Sequence, residues 1–549
     1  MRTGHLKTAT VVSLLFILTN ARSYSQQASN DSSVKRILAT LDSLYTQIDK
    51  NYVTNVDLTK LMRTGIDAML GSLDPFTKFR SREEAEEFHL SLTGKFGGTG
   101  VGIGEIDRQI VVLRVLQNFP ADRAGLKAGD VISAVDKTSI QGKDFLEVLG
   151  SLRGAPGTKL SLLVQRPGEK NPITVNITRE EIKLSSVPYY GIVSDDIGYI
   201  MLTGMTTNSG DEVLKAFLEL RGHNKLRGLV LDLRDNTGGS VNQAVKIANF
   251  FIDQGHTIVT VKGRNEDSAY YATQRAVDPS VPLIILTSNL TASAAEVLSG
   301  AVQDNDRGVI IGQRTYGKGL VGNIYDMGFG TEAVITIAHY YTPSGRCIQI
   351  RNYSAGGRGT ETADSLKKYF KTRNGRLERE SEGIVPDLVM EPKRLSPISL
   401  CVIDSFILFK YATQYKLTHS SIPPARQFAL NGDEYDKFFN VLKKNGCAYT
   451  TSTEDKIKEL KKIAASDDYL ESIEPAIKNL EADYTRKKQQ DISSARQEIK
   501  ELLEAEIASR YYYERGRIES GFKSDPILKR AEVLNDKALY RKTLGIAGE

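Results

Sequence analysis

Val281-Pro-Leu-Ile-Ile-Leu286, followed by Asn289-Leu-Thr-Ala-Ser-Ala-Ala-Glu296, gives an apolar strand, a short turn and the start of a helix, with Ser293 at the junction. The same order recurs upstream. Ile197-Gly-Tyr-Ile-Met-Leu202 leads to a helix over 209–221. Gly228-Leu-Val-Leu-Asp-Leu233 leads through Arg234-Asp-Asn-Thr-Gly-Gly-Ser240 to a helix over 241–251 and the strand Thr257-Ile-Val-Thr-Val261. Apolar strands alternating with helices over 191–387 predict a largely parallel α/β core. Active groups of such sheets gather beyond the strand ends, where the Gly238-Gly239 turn and Ser293 both fall.

A serine hydroxyl becomes a nucleophile only when a base takes its proton, and a lysine in a dry pocket can be that base. Tyr316-Gly-Lys-Gly-Leu320 supplies Lys318 after the short strand Gly308-Val-Ile-Ile-Gly312. A free lysine, with a pKa of about 10.4, is charged at neutral pH, but burial disfavours the charge and lowers that value. Taken singly, Ser293 is a helix N-cap and Lys318 an exposed loop residue. Together with the glycine turn they point to a Ser/Lys hydrolase that needs no histidine. None of His89, His223, His256, His339 and His419 lies in a motif that brings it to Ser293. Gly312-Gln-Arg-Thr-Tyr-Gly317-Lys318-Gly319 approaches a phosphate-binding loop, yet Gly319 replaces the hydroxyl residue that would hold magnesium and no clear helix follows.

The chain has 549 residues, enough for about three or four domains, with ordinary hydrophobic (40%) and charged (25%) content. A net charge of +5, with both signs interleaved, gives no reason to invoke nucleic acid or a membrane surface. Arg2, His5 and Lys7 precede the apolar run Ala9-Thr-Val-Val-Ser-Leu-Leu-Phe-Ile-Leu18, with small residues at Ala21, Ser23 and Ser25. That pattern predicts a secretory signal over 1–25 and an exported mature protein, periplasmic in a Gram-negative cell, with no membrane span. An uncleaved membrane anchor is the alternative. Cys347, Cys401 and Cys447 are an odd number without a metal-binding spacing, so disulfides are optional and no metal or cofactor is expected.

Helical periodicity covers 34–70 and ends at Gly71-Ser-Leu-Asp-Pro-Phe76; an acidic helix over 81–90 follows. Short β segments and glycines then take over. Gly97-Gly-Thr-Gly-Val-Gly-Ile-Gly104, Gln109-Ile-Val-Val-Leu113 and Phe119-Pro-Ala-Asp-Arg-Ala-Gly-Leu-Lys-Ala-Gly-Asp-Val-Ile132 resemble the PDZ domain of bacterial proteases. The resemblance implies that a peptide adds as a strand beside Gly100, Val101, Gly102 and Ile103, its terminal carboxylate held by the glycine loop. The glycines match only half of a dinucleotide fingerprint, without the strand and helix that it requires. Beyond about residue 395 the chain is helical and charged, a solvated packing region by default and a dimerising or substrate-cradling arm as the alternative. The Tyr511–Tyr513 run is expected to pack in a core or interface.

Leu73-Asp-Pro-Phe-Thr77, the PDZ run, Asp232-Leu-Arg-Asp-Asn-Thr-Gly-Gly239, Thr291-Ala-Ser-Ala-Ala-Glu296, Tyr316-Gly-Lys-Gly-Leu-Val321, Thr342-Pro-Ser-Gly-Arg346 and Gly383-Ile-Val-Pro-Asp387 in this order resemble the C-terminal processing peptidases, or tail-specific proteases. The resemblance covers 34–387. Joined to the helical periodicity at both ends, it gives a multi-domain α/β protein: a helical arm (26–90), a PDZ domain that is β-rich with two helices (91–180), a ClpP/crotonase-like serine protease core (181–395) and, from its own charged helical pattern, a helical region (396–549). It implies Ser293 as nucleophile, Lys318 as base, and oxyanion donors from Ala294 and from Gly238 or Gly239, between which the sequence does not choose. Expected partners are polypeptides with accessible C-termini, and a homodimer through the helical arms is open. A glutamine usual four residues after the lysine is Gly322 here, with Asn323 beside it. That departure motivates the rival expectation of a catalytically silent PDZ scaffold; acyl-thioester chemistry ranks below both.

Overall fold

Ile197–Met201, Gly228–Asp232, Leu283–Thr287 and Val309–Gly312 carry no alternation of apolar and polar residues, which suits strands covered on both faces. In the computed structural model, which describes residues 33–194, 196–223, 226–264, 267–353, 359–531 and 536–546, they form the centre of a six-stranded sheet. Tyr189–Ser194 pairs antiparallel with the first of them, and the other pairings are parallel, ending at Leu388–Val389. The signal-like stretch lies outside the described residues.

Helices Ser209–His223, Val241–Ala248 and Ala294–Asp304 cover one face, packing Phe217, Ile247 and Leu298 onto Leu231 and Ile285. The other face is covered from far along the chain. Phe522, Ile527, Leu528 and Leu544 pack on Tyr199, Val230, Ile284 and Ile311. Each fully buried aliphatic side chain contributes about 1.5–3 kcal/mol, so this last segment is integral to the peptidase core.

A second sheet flanks the first. Its long strand Thr331–Tyr341 pairs in turn with Leu320–Gly328, Lys78–Arg80 and Thr257–Gly263. The N-terminal strand Lys78–Arg80 therefore lies across Thr331–Tyr341 from the strand that follows Lys318. The periodic run 34–70 is two helices, 33–51 and Leu58–Gly71, because Asp57 caps the second by accepting Lys60 N–H.

Strands Val101–Ile106, Gln109–Val115, Val131–Val135, Lys159–Gln165 and Ile173–Thr178 form the antiparallel PDZ sheet in that order, around Val112, Leu162 and Val164. Its helices are Pro120–Arg123 and Phe145–Leu152. Lys95–Gly98 pairs with Glu180–Lys183 and closes the domain at its neck. The C-terminal helices, including Ile407–Thr418, Gly432–Asn445 and Arg496–Gly521, enclose Val402, Phe438, Leu442 and Leu503. A Cys401–Cys447 disulfide joins two of their ends, and Cys347 is free. Among the described residues no helix is long and apolar enough to cross a membrane.

Candidate active site

The chain leaves Leu283–Thr287 and enters the helix Ala294–Asp304 through a sharp turn in which Ser293 has φ 57° and ψ −119°. A capping serine holds extended backbone with its hydroxyl on the first-turn amides. Here the Glu296 N–H goes instead to the Ser293 carbonyl at 2.8 Å, and Ser293 lines a cleft of about 1100 Å³. A non-glycine residue in this backbone region costs about 1–3 kcal/mol and persists only where its surroundings fix it. The fixings are visible. Thr291 Oγ1 donates to the Leu233 carbonyl (2.8 Å), and Ala292 N–H donates to the Asn236 carbonyl (3.1 Å).

The Gly238-Gly239 turn lies against this serine. A Cβ on Gly238 would stand 2.8 Å from Ser293 Cβ, and one on Gly239 2.5 Å from the Met205 carbonyl oxygen. Both glycines have positive φ, 100° and 132°. Gly238 N–H is taken by the buried Asn236 Oδ1 at 2.9 Å, while Asn236 Nδ2 donates to the Leu202 carbonyl. Gly239 N–H and Ala294 N–H meet no acceptor among the described residues. One of these amides directly follows Ser293, and the other belongs to a glycine that lines the same cleft.

Lys318 belongs to a loop whose glycines answer to packing. A Cβ on Gly317 would be 2.2 Å from Ile350, and one on Gly319 2.7 Å from Gln349 N, so it is these neighbours, and not the serine, that demand glycine. Glu296, fully buried, joins the loop to the serine turn. One carboxylate oxygen accepts Ser293 N–H (2.8 Å) and Lys318 N–H (2.9 Å); the other accepts Gly317 N–H (2.7 Å) and Thr315 Oγ1–H (2.5 Å). Burial raises its pKa, opposed by these four bonds.

Lys318 Nζ sits 4.6 Å from the centroid of the Phe76 ring and makes no hydrogen bond to a described residue. Phe76 is fixed from behind: Asp74 Oδ1 accepts Phe76 N–H and Thr77 N–H, each at 2.8 Å, and Thr77 Oγ1 accepts Thr336 N–H at 3.1 Å. The lysine pKa is lowered, first by burial and then by the charges of Lys78 and Arg80, against the pull of Glu296 and Asp74. A half-buried amine without a fixed partner, a serine in a strained turn and two unpaired amides constitute the parts of an acyl-transfer site.

Ser293, Lys318, Gly238 and Gly239 line one cleft, which continues past Phe96 and Arg153 at the PDZ neck. Ala294 follows directly at the buried helix start. Gly100, Val101, Gly102 and Ile103 stand apart from it, on the PDZ sheet's outer edge; Gly100 has φ 77° because Phe119 closes on it, and Ile103 points into the PDZ core. The missing glutamine has a steric reason: a Cβ on Gly322 would meet Val334 Cγ1 at 2.8 Å. Asn323 is exposed on its strand and does not take that place. The loop is held instead by Glu296 and by Gln349, whose Oε1 accepts Gly319 N–H at 2.7 Å and whose Nε2 donates to the Arg351 carbonyl. Sequence reasoning assigned no role to Glu296, Phe76, Asn236 or Gln349. Glu296, Phe76 and Asn236 all stand inside the motifs quoted above, and the capping spacing from Ser293 to Glu296 is the signal that marks Glu296.

Three family models match the chain: peptidase family S41 over residues 196–353, a PDZ domain over 111–166, and the C-terminal helical domain of probable PDZ-proteases over 398–534. A carboxy-terminal-processing protease of Bartonella bacilliformis is 34% identical over 326 residues, covering 58% of this chain and 74% of that protein. The carboxy-terminal processing protease CtpB of Bacillus subtilis is 30% identical over 324 residues, covering 58% and 67%. The solved photosystem II D1 C-terminal processing protease is 27% identical with a TM-score of 0.33, covering 63% of this chain and 91% of that one. The chain belongs to the carboxy-terminal processing proteases of peptidase family S41, a serine-type peptidase with a PDZ domain.

Proposed function

We propose that this peptidase acts with a Ser293/Lys318 dyad on extended polypeptides whose C-termini the PDZ edge holds. The observation that carries the reading is that Lys318, its charge disfavoured by burial and by Lys78 and Arg80, shares a cleft with Ser293. In acylation the neutral Lys318 amine takes the Ser293 hydroxyl proton as Oγ bonds to the scissile carbonyl carbon. The carbonyl oxygen becomes an oxyanion facing Gly239 N–H and Ala294 N–H, with Gly238 N–H occupied in holding the turn. The C–N bond then breaks, and the lysine ammonium donates its proton to the leaving amine. The neutral amine next takes a proton from water as its oxygen bonds to the acyl carbon; the C–Oγ bond then breaks, the new carboxyl terminus leaves, and the lysine ammonium returns the proton to Ser293 Oγ. Each oxyanion donor contributes roughly 3 kcal/mol in known cases.

The substrate tail adds as a strand on the open edge at Val101, Gly102 and Ile103, its carboxylate at the Gly100 loop. Because Lys318 rests over Phe76 without a bond to Ser293, tail binding is assigned the task of aligning it. The Cys401–Cys447 bond fits the oxidising compartment that export through the signal-like N-terminus would reach. The helix over 33–51 leaves Ile37, Leu38, Leu41 and Leu44 about half exposed along one stripe, which fits pairing with a second copy.

The test is cleavage of an unstructured protein by the wild type, Ser293→Ala and Lys318→Ala. The dyad requires that both variants lose nearly all turnover; equal proteolysis by all three eliminates it. If the protease lacking 92–180 cuts at the full rate, alignment by the tail is wrong.

A further inference from the structure

We propose that Asp525, contributed by the C-terminal helical region, is a positioning residue for the hydrolysis at Ser293, acting through Arg234 on the oxyanion turn. It rests on the dyad and oxyanion reading above and gives the last part of the chain a task in catalysis.

The turn begins at Asp232, the end of a central strand, where the chain must change direction over seven residues to place Gly239 beside Ser293. Arg234 folds back on Asp232: its backbone N–H and Nε reach Oδ1 at 3.0 Å, and Nη2 reaches Oδ2 at 2.5 Å. Tyr199 donates to the same Oδ2 at 2.6 Å. The remaining guanidinium nitrogen, Nη1, goes to Asp525 Oδ2 at 2.7 Å. Burial works against the Arg234 charge, but Asp232 and Asp525 outweigh it and hold the pKa above its usual range.

Asp525 is itself fixed. Its other oxygen caps the helix Pro526–Arg530, accepting Ile527 N–H at 2.9 Å and Leu528 N–H at 3.0 Å. Ile527 and Leu528 are in turn packed on the central sheet. One carboxylate thus ties a packed element to Arg234. From there hydrogen bonds lead to the reacting groups. Ser288 Oγ donates to the Arg234 carbonyl, Ala292 N–H to the Asn236 carbonyl, and Gly238 N–H to Asn236 Oδ1. Asp232, Arg234 and Asp525 are not among the residues that line the cleft, so the clamp bears on the turn's position and not on substrate capture.

The test replaces the charge and keeps the cap. Asn caps as well as Asp, so Asp525→Asn retains the helix start and removes the carboxylate from Arg234. Asp536→Asn, at the cap of Lys537–Thr543, is the matched control. Complete loss of one oxyanion donor costs about 10²–10³-fold in known cases, so a displaced donor is expected to lower kcat by about tenfold. With an unstructured protein substrate, Asp525→Asn should show that fall in turnover per folded molecule, with KM and the acid limb of the pH–rate profile as in the wild type and a lower unfolding midpoint, because the buried Arg234 keeps only Asp232. Asp536→Asn should leave all four unchanged. A kcat per folded molecule no lower than that of Asp536→Asn overturns the proposal, as does a fall in activity accounted for entirely by the unfolded fraction. Ser293→Ala in the same assay separates the two readings: inactive Ser293→Ala with a fully active Asp525→Asn sinks only the positioning role, whereas active Ser293→Ala sinks the dyad.

Discussion

Glu296→Gln isolates the strut between the proposed nucleophile Ser293 and the proposed base Lys318. The carboxylate receives four donors, two on each oxygen, and a carboxamide can accept on one side only. With its oxygen toward Ser293 and Lys318, the amide nitrogen faces Thr315 Oγ1 and Gly317 N–H. Thr315 already accepts Ile384 N–H (2.7 Å) and has a further lone pair for the new amide, but Gly317 N–H loses its partner in a buried site. An orphaned buried donor costs about 1–3 kcal/mol, and the two bonds that remain lose their charge assistance, giving roughly 2–4 kcal/mol in all. Part of this appears as lowered stability. The rest appears as a lysine loop out of register, and each 1.4 kcal/mol of it costs about tenfold in rate. Urea unfolding and turnover per folded molecule, measured on the same preparation, separate the two; kcat should fall by about 10–100-fold. A glutamine variant with wild-type stability and turnover would refute the reasoning, since the geometry offers no second acceptor for Gly317.

Phe76→Leu keeps an apolar cover over Lys318 and removes the ring quadrupole that favours the ammonium, so the acid limb of the rate profile should move to lower pH by up to about one unit; a shift to higher pH contradicts this. Glu378 has its carboxyl pushed up to about 7, chiefly by burial, with Asp387 and Asp304 adding and Arg346 and Arg376 opposing. Between its ordinary 4.5 and about 7 the folded state alone keeps the proton, so stability falls as pH rises through that window. Glu378→Gln should therefore be the more stable protein at pH 8 by up to about 3 kcal/mol and match the wild type near pH 4.5, as read from urea midpoints. Replacing Cys401 and Cys447 together by serine opens a loop with a sequence separation of 46. The chain-entropy cost is about 4 kcal/mol, to be sought as a lower unfolding midpoint of the helical region; an unchanged midpoint removes the bond from the account.

What the sequence made legible follows its physics. Strands apolar on both faces and helices that start at caps, such as Ser81 before Arg82–Thr93, announce themselves locally. The serine and lysine segments were legible only in combination with the glycine turn, since singly they match an N-cap and an exposed loop lysine. The hairpin of Leu320–Gly328 with Thr331–Tyr341 was not, since its first strand is exposed over most of its length and shows no apolar alternation. Contacts of great sequence separation were equally hidden: Phe522 on Tyr199, Tyr513 Oη on Asp122, and Arg234 on Asp525. That Gly238 N–H is taken by Asn236 Oδ1 was hidden too, since motif spacing does not carry a side chain's orientation.

The most direct measurement is the pH dependence of kcat/KM on an unstructured protein substrate, for the wild type and for Lys318→Met. The account predicts a wild-type rate that rises with pH through one group titrating below the usual lysine value of about 10.4, and a residual Lys318→Met activity without that limb. A wild-type profile flat across that range, or a Lys318→Met enzyme that keeps the same limb, would contradict it.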